Sequence, residues 1–251
     1  MSSSLILGGH SFIAPLGNDP APAEREIDAI VDACLDAGIT RFDTTYLPER
    51  VALGASLARL HARDRARIIA WNFFTDFGPD GPVGSHEPYQ PHHIAQLLRE
   101  LRTDLIDRLV VHPVDDPAAQ ARQEALAVSW QTQGLVRELG TWMPPSGAER
   151  GPYAFAVAPC NVTVTDAETR FAAYHRSGWE TLATSPFVRG WELDRRAAGQ
   201  DRAVVADRLL RYAAFFPHVD ALIVSMRRVE WVAANVAALA RGPLGPDEPT
   251  L

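Results

Sequence analysis

Apolar residues along the chain fall into two alternating rhythms. Short apolar and β-branched runs recur between longer stretches whose apolar positions lie three and four apart, the pattern of strand–helix units around a parallel sheet. Strands are predicted over 5–8, 40–43, 67–72, 108–112, 136–140, 154–158, 179–184 and 221–224. Helices are predicted over 23–37, 50–61, 91–101, 117–133, 166–176, 201–215 and 229–239. In the first, Ile27, Ile30, Val31 and Cys34 mark one face and Gly38 stops it. A helix between strands five and six is broken by Pro144-Pro145-Ser146-Gly147. The Gly- and Pro-rich loop over 73–91 is long enough to be a lid or binding loop. No domain boundary or repeat interrupts the pattern. The expected fold is α/β: a single, compact (β/α)8 TIM barrel over 1–251, with 242–251 a loose tail.

Barrel active sites lie where strands end at their C-terminal face, so the residues after each strand are the ones to inspect. His10 follows strand one; Asp43 ends strand two, with Tyr46 close behind. Asn72 ends strand three, His112 ends strand four and Trp142 follows strand five. Asn161, Ser185, Ser225 and Arg227 follow the last three. A carboxylate, a phenol, imidazoles and amides on one rim make an acid–base pocket, walled by Trp71, Phe73 and Trp142. Each aromatic reads equally as packing.

Composition narrows the classes. A formal charge of −7, with basic and acidic residues interspersed, argues against a nucleic-acid or anionic-membrane partner and for a small-molecule substrate. Two cysteines are too few for a disulfide framework and lack metal spacing. Residues 1–9 lack a basic leader pattern and no apolar run approaches a membrane span, so a cytoplasmic protein is expected. All 24 basic residues are arginine; with no lysine, Schiff-base and lysine-base chemistry are excluded. His10, Asp43 and His112 are a remote metal set, and no nucleophile elbow supports acyl transfer.

The segment 32–44 ending at Asp43, the Tyr46 to Leu53-Gly54 spacing, 98–107 leading to Val110-Val111-His112-Pro113, Gly134 to Gly140, Ser185-Pro186-Phe187 with Gly190, and Ser225-Met226-Arg227 with Asn235 together resemble the aldo-keto reductases, in order over nearly the whole chain. Keeping register requires two residues fewer between Thr45 and Tyr46. The resemblance implies a Tyr that donates a proton while NADPH delivers hydride, a Lys held by the Asp that lowers the Tyr pKa, and a substrate-orienting His. Carried over, these are Tyr46, Asp43 and His112, with Asn72 standing where Lys is expected. An amide cannot lower a neighbouring pKa as an ammonium does. Arg50 is the candidate replacement cation.

The resemblance also implies a Ser-Asn pair and a Gln that hold the nicotinamide amide. Here those positions are Trp142, Met143 and Val157, while Ser185, Arg227 and Asn235 match the pyrophosphate, 2′-phosphate and adenine contacts. For Arg227, a surface residue at a helix start is the alternative.

Three functions follow. The favoured one is redox-neutral acid–base chemistry on a carbonyl or hydroxyl compound by an isomerase, lyase, dehydratase or cyclase, with Asp43 as base, Tyr46 and His112 around the oxygen and His10 as a further acid or base. The second is an NADP(H)-dependent oxidoreductase with an altered proton relay. The third is a non-catalytic binding or regulatory barrel.

Overall fold

The computed structural model describes residues 4–14, 21–74, 85–246 and 248. Residues 75–84 of the expected lid loop lie outside them, as do 247 and 249–251 of the tail. Eight parallel strands close into a barrel in chain order: β1 (Ser4–Gly8), β2 (Arg41–Thr44), β3 (Arg67–Trp71), β4 (Ile106–Val111), β5 (Val136–Trp142), β6 (Tyr153–Pro159), β7 (Glu180–Thr184) and β8 (Ala221–Val224). Closure comes from β1 pairing with β8, Ser4 opposite Ala221 through Leu7 opposite Val224.

The helices are α1 (Glu24–Asp36), α2 (Leu47–Arg59), α3 (His93–Glu100), α4 (Pro117–Thr132), α5 (Ala167–Arg176), α6 (Trp191–Arg196), α7 (Arg202–Ala214) and α8 (Val229–Ala240). The face of α1 forecast from spacing is the buried one. Gly38, at φ +80°, ends it in a Schellman turn, with Ile39 N donating to Cys34 O and Gly38 N to Leu35 O. Helix α4 starts on Asp116, whose carboxylate accepts from Ala118 N at 3.0 Å. No helix forms between β5 and β6, as the Pro-Pro break implies.

Three expectations are corrected. Helix α2 begins at Leu47, not 50, because Pro48 suits a first turn. The short α6 is an addition after β7. Within the tail expected to be loose, Gly242, Pro243 and Glu248 are held: buried Arg211 donates to Gly242 O and Pro243 O, both at 2.7 Å, and pairs with both carboxylate oxygens of Glu248.

Two cores share the strands. Ile6, Ile69, Trp71, Val110, Phe155, Val157, Leu182 and Ile223 fill the barrel, and alternate strand residues, among them Ile68 and Ala70, pack under the helices. Each fully buried aliphatic or aromatic side chain contributes about 1.5–3 kcal/mol. Among the described residues, no helix is long and apolar enough to cross a membrane.

Candidate active site

A cleft of about 1140 Å³ opens at the C-terminal mouth and runs outward between α7 and α8. Asp43, Tyr46, His10, Trp71, His112 and Trp142 line its inner end. Ser185, Arg227, Asn235 and Arg241 line its outer arm. Its volume exceeds the roughly 300–1,000 Å³ of a single-ligand pocket.

Asp43 is buried at the end of β2, where Oδ1 accepts from Trp71 Nε1 at 2.6 Å. Burial pushes this carboxyl up to about 7; the indole hydrogen bond pulls it down, and the Glu49 charge pushes it up again. The group held by Asp43 is therefore an uncharged indole. The expectation that Asn72 stands against Asp43 is corrected: successive strand residues face opposite sides, so Trp71 points into the barrel and Asn72 away from it. Asn72 is fully buried; its Nδ2 donates to Glu87 O and His112 O, and its Oδ1 accepts from His112 N. It clamps the loop after β3 to the end of β4. Arg50 does not supply the missing cation either. Its guanidinium pairs with Glu100 and donates to Thr45 O and Phe73 O, beneath the site.

His10 lies in a 3-10 turn after β1, with Nδ1 2.8 Å from Glu49 Oε1. Glu49 is fully buried, and its other oxygen accepts from Thr45 N at 2.6 Å and Tyr46 N at 3.2 Å, so it also caps α2. Tyr46 is buried between the His10 and Phe73 rings, at centroid distances of 5.6 and 5.5 Å. Sequence reasoning missed Glu49. The available signal was a glutamate three residues past the helix cap, the reciprocal half of a capping box.

His112 follows β4, half-buried against Trp142 and stacked on His86 at 3.7 Å. Burial pulls its pKa down to about 4, only partly offset by Nδ1 donating to Pro113 O at 3.1 Å. A carbonyl only accepts, so the proton sits on Nδ1 and Nε2 carries a lone pair. A neutral His112 of this tautomer can accept a hydrogen bond at Nε2 and has no proton there to donate. His86 comes from the described end of the 73–91 loop and had no signal in the sequence.

In the outer arm Ser185 (φ +60°) and Val188 (φ +49°) hold left-handed backbone, unusual for a side chain with a Cβ and most so for branched Val188. Arg227 is buried, not a surface residue, and donates through Nη2 to Ile13 O while lining the cleft. Asp207, paired with Arg241 and Arg211, closes the far end. At the inner end Trp142 forms the wall, Met143 is partly exposed on a left-handed turn and Val157 is sealed inside the barrel. The outer arm thus offers partners for phosphates and a purine, whereas at the inner end Met143 and Val157 bring no amide or hydroxyl and Trp142 brings only its indole N–H donor. No group of three or more His, Cys, Asp or Glu is placed to hold a metal among the described residues.

Among solved structures the chain superposes on an aldo-keto reductase of Bacillus halodurans in its holo form, with a TM-score of 0.73, 18% identity and coverage of 98% of this chain and 90% of that one. A Pseudomonas aeruginosa protein assigned to the aldo-keto reductases gives 0.71 at 19% identity, covering 96% and 90%. The fold is that of the aldo-keto reductases. A 6-dehydroglucose reductase of Agrobacterium fabrum is 26% identical over 142 residues, half of this chain but only 46% of that protein's length. No protein-family model matches the chain. Within that fold, Asp43, Tyr46 and His112 line one cleft, and the group hydrogen-bonded to Asp43 is the indole of Trp71.

Proposed function

We propose that this chain is an enzyme that moves protons, without net oxidation or reduction, on a small carbonyl or hydroxyl compound. The observation carrying this reading is Asp43 held by an indole: buried and hydrogen-bonded to a neutral donor rather than to an ammonium, it is a carboxyl poised near neutrality, suited to a general base. Asp43 removes a proton α to a carbonyl, Tyr46 donates its hydroxyl proton toward the oxygen, and Nε2 of His112 accepts from a neighbouring substrate hydroxyl. Trp71, Phe73 and Trp142 shape the apolar wall and exclude water. The relative named for 6-dehydroglucose supports a sugar-like carbonyl as the substrate class.

The outer arm favours a second reading, an NADP(H)-dependent oxidoreductase of altered relay. Ser185, Arg227 and Asn235 would hold the phosphate and adenosine half, and the bound dinucleotide would supply hydride. Titration with NADPH tests the choice, because Trp71, Trp142 and Trp231 line the cleft and report occupancy by quenching. Binding at micromolar NADPH with carbonyl-dependent NADPH consumption replaces the first reading by the second. Loss of the α-proton of a hydroxycarbonyl into deuterated water, without nucleotide, supports the first.

A further inference from the structure

The most completely buried carboxylate of the mouth is one that the reading above leaves unused. Glu49 has no exposed surface, yet it faces the cleft wall through His10 rather than pairing with an arginine. One of its oxygens is consumed by the first amides of α2 and the other meets His10 Nδ1. The chain makes room for this contact: a Cβ at Gly9 would fall 2.4 Å from Glu49 Oε2 and 2.8 Å from Asp43 O, so the turn carrying His10 seats on the carboxylate only because residue 9 is glycine. His10, about one-third exposed, lines the cleft beside Tyr46 and is within electrostatic reach of Asp43. A carboxylate behind a pocket imidazole fixes its tautomer and supports the imidazolium that forms when the outer nitrogen takes a proton.

We propose that His10, positioned by Glu49, is the site's second proton carrier, and that the substrate is an α-hydroxy aldehyde or ketone. This rests on the redox-neutral reading. Asp43 takes the hydrogen from the hydroxyl-bearing carbon, whose electron pair forms the carbon–carbon double bond while Tyr46 gives its hydroxyl proton to the carbonyl oxygen and is left as phenolate. His10 Nε2 then takes the proton of the original hydroxyl, whose oxygen becomes the new carbonyl. The double-bond pair collects the Asp43 proton at the neighbouring carbon, and His10 passes its proton to Tyr46, restoring the starting state. Atoms and electrons balance with no co-reactant. Two proton carriers are what a hydroxycarbonyl needs, one for carbon and one for oxygen, and the mouth has one on each neighbouring strand end.

The test pairs Glu49→Gln with wild type. The amide oxygen can keep capping Thr45 N and Tyr46 N while its NH2 meets Nδ1, which forces the proton of neutral His10 onto Nε2 and disables it as an acceptor. Long-range 1H–15N spectra of His10 should show Nδ1–H in wild type and Nε2–H in Glu49→Gln, with circular dichroism unchanged. Exchange of the α-proton of glyceraldehyde and dihydroxyacetone into D2O should proceed in wild type. Their interconversion should fall at least about 100-fold in kcat, with KM little moved, in Glu49→Gln and His10→Gln alike. An unchanged His10 tautomer, or full interconversion in His10→Gln, overturns the proposal. Tautomer inversion in a protein whose wild type shows no exchange sinks the redox-neutral reading instead and leaves Glu49 as the residue that positions His10.

Discussion

Trp71 Nε1 donates to Asp43 Oδ1 across two strands, β2 and β3, whose last paired residues are Thr44 and Ala70. The contact favours the anion with a neutral dipole, but burial outweighs it. The proton on Asp43 is retained up to about pH 7, and the chemistry and the pH dependence of the fold both follow from it.

Stability carries the first consequence. The folded pKa of Asp43 lies above its unfolded value of 3.8, so its contribution is fully present below pH 3.8 and is lost as pH rises through about 7. The loss amounts to roughly 4 kcal/mol, at about 1.4 kcal/mol per pH unit of displacement. Asp43→Asn, which keeps an acceptor for the indole, should gain on wild type by a few kcal/mol between pH 5 and pH 8 in urea unfolding. Parallel curves for the two proteins would contradict it.

Catalysis carries the second. A base must be ionised, so kcat/KM should climb with pH and level off above about 7. Trp71→Phe removes the donor that lowers the Asp43 pKa and should move that rising limb to higher pH. A profile that falls above 7 would make Asp43 the acid and reverse its role.

His112 behaves oppositely. Its folded pKa of about 4 is below the unfolded value of 6.5, so its contribution is present above pH 6.5 and is lost as pH falls toward 4. Nitrogen spectra should show a neutral Nδ1–H ring down to about pH 4. An imidazolium at pH 6 would remove the hydrogen-bond acceptor assigned to this residue.

Asn72→Leu should cost about 2–4 kcal/mol, since it strands Glu87 O and His112 N in a buried site, while His112 O keeps Gln123 Nε2. Amide exchange at His112 should accelerate with it. Asn72→Lys should yield no carbonyl reductase, because the new ammonium would enter this network and not the cleft. Robust NADPH-dependent reduction by that variant would place residue 72 on the wrong side of β3 here.

The fold was legible because barrel strands and helices write different periods, and every strand lies within two residues of its forecast. The site was less so, and β3 shows why. Ile68-Ile69-Ala70-Trp71 is buried on both faces, so no polar alternation reveals which residues point inward. The polar residue at its end, Asn72, reads as the one that faces the site, whereas Trp71 is the residue that meets Asp43. Glu49 was hidden because an acidic residue in a first helical turn has an ordinary explanation. Helix α6 is six residues long, too short to show a period.

Pairing of β1 with β8 brings positions 4 and 221 side by side, so the ring cannot shut until nearly the whole chain has been made. Joining the ends through a linker would free the choice of where the chain begins. New ends cut into the helix-free connection between β5 and β6, around Gly147, would leave every strand pairing intact. In a chain permuted to begin at β6, β5 would come last and its pairing with β6, not that of β1 with β8, would shut the ring, separating the order of assembly from the architecture it produces.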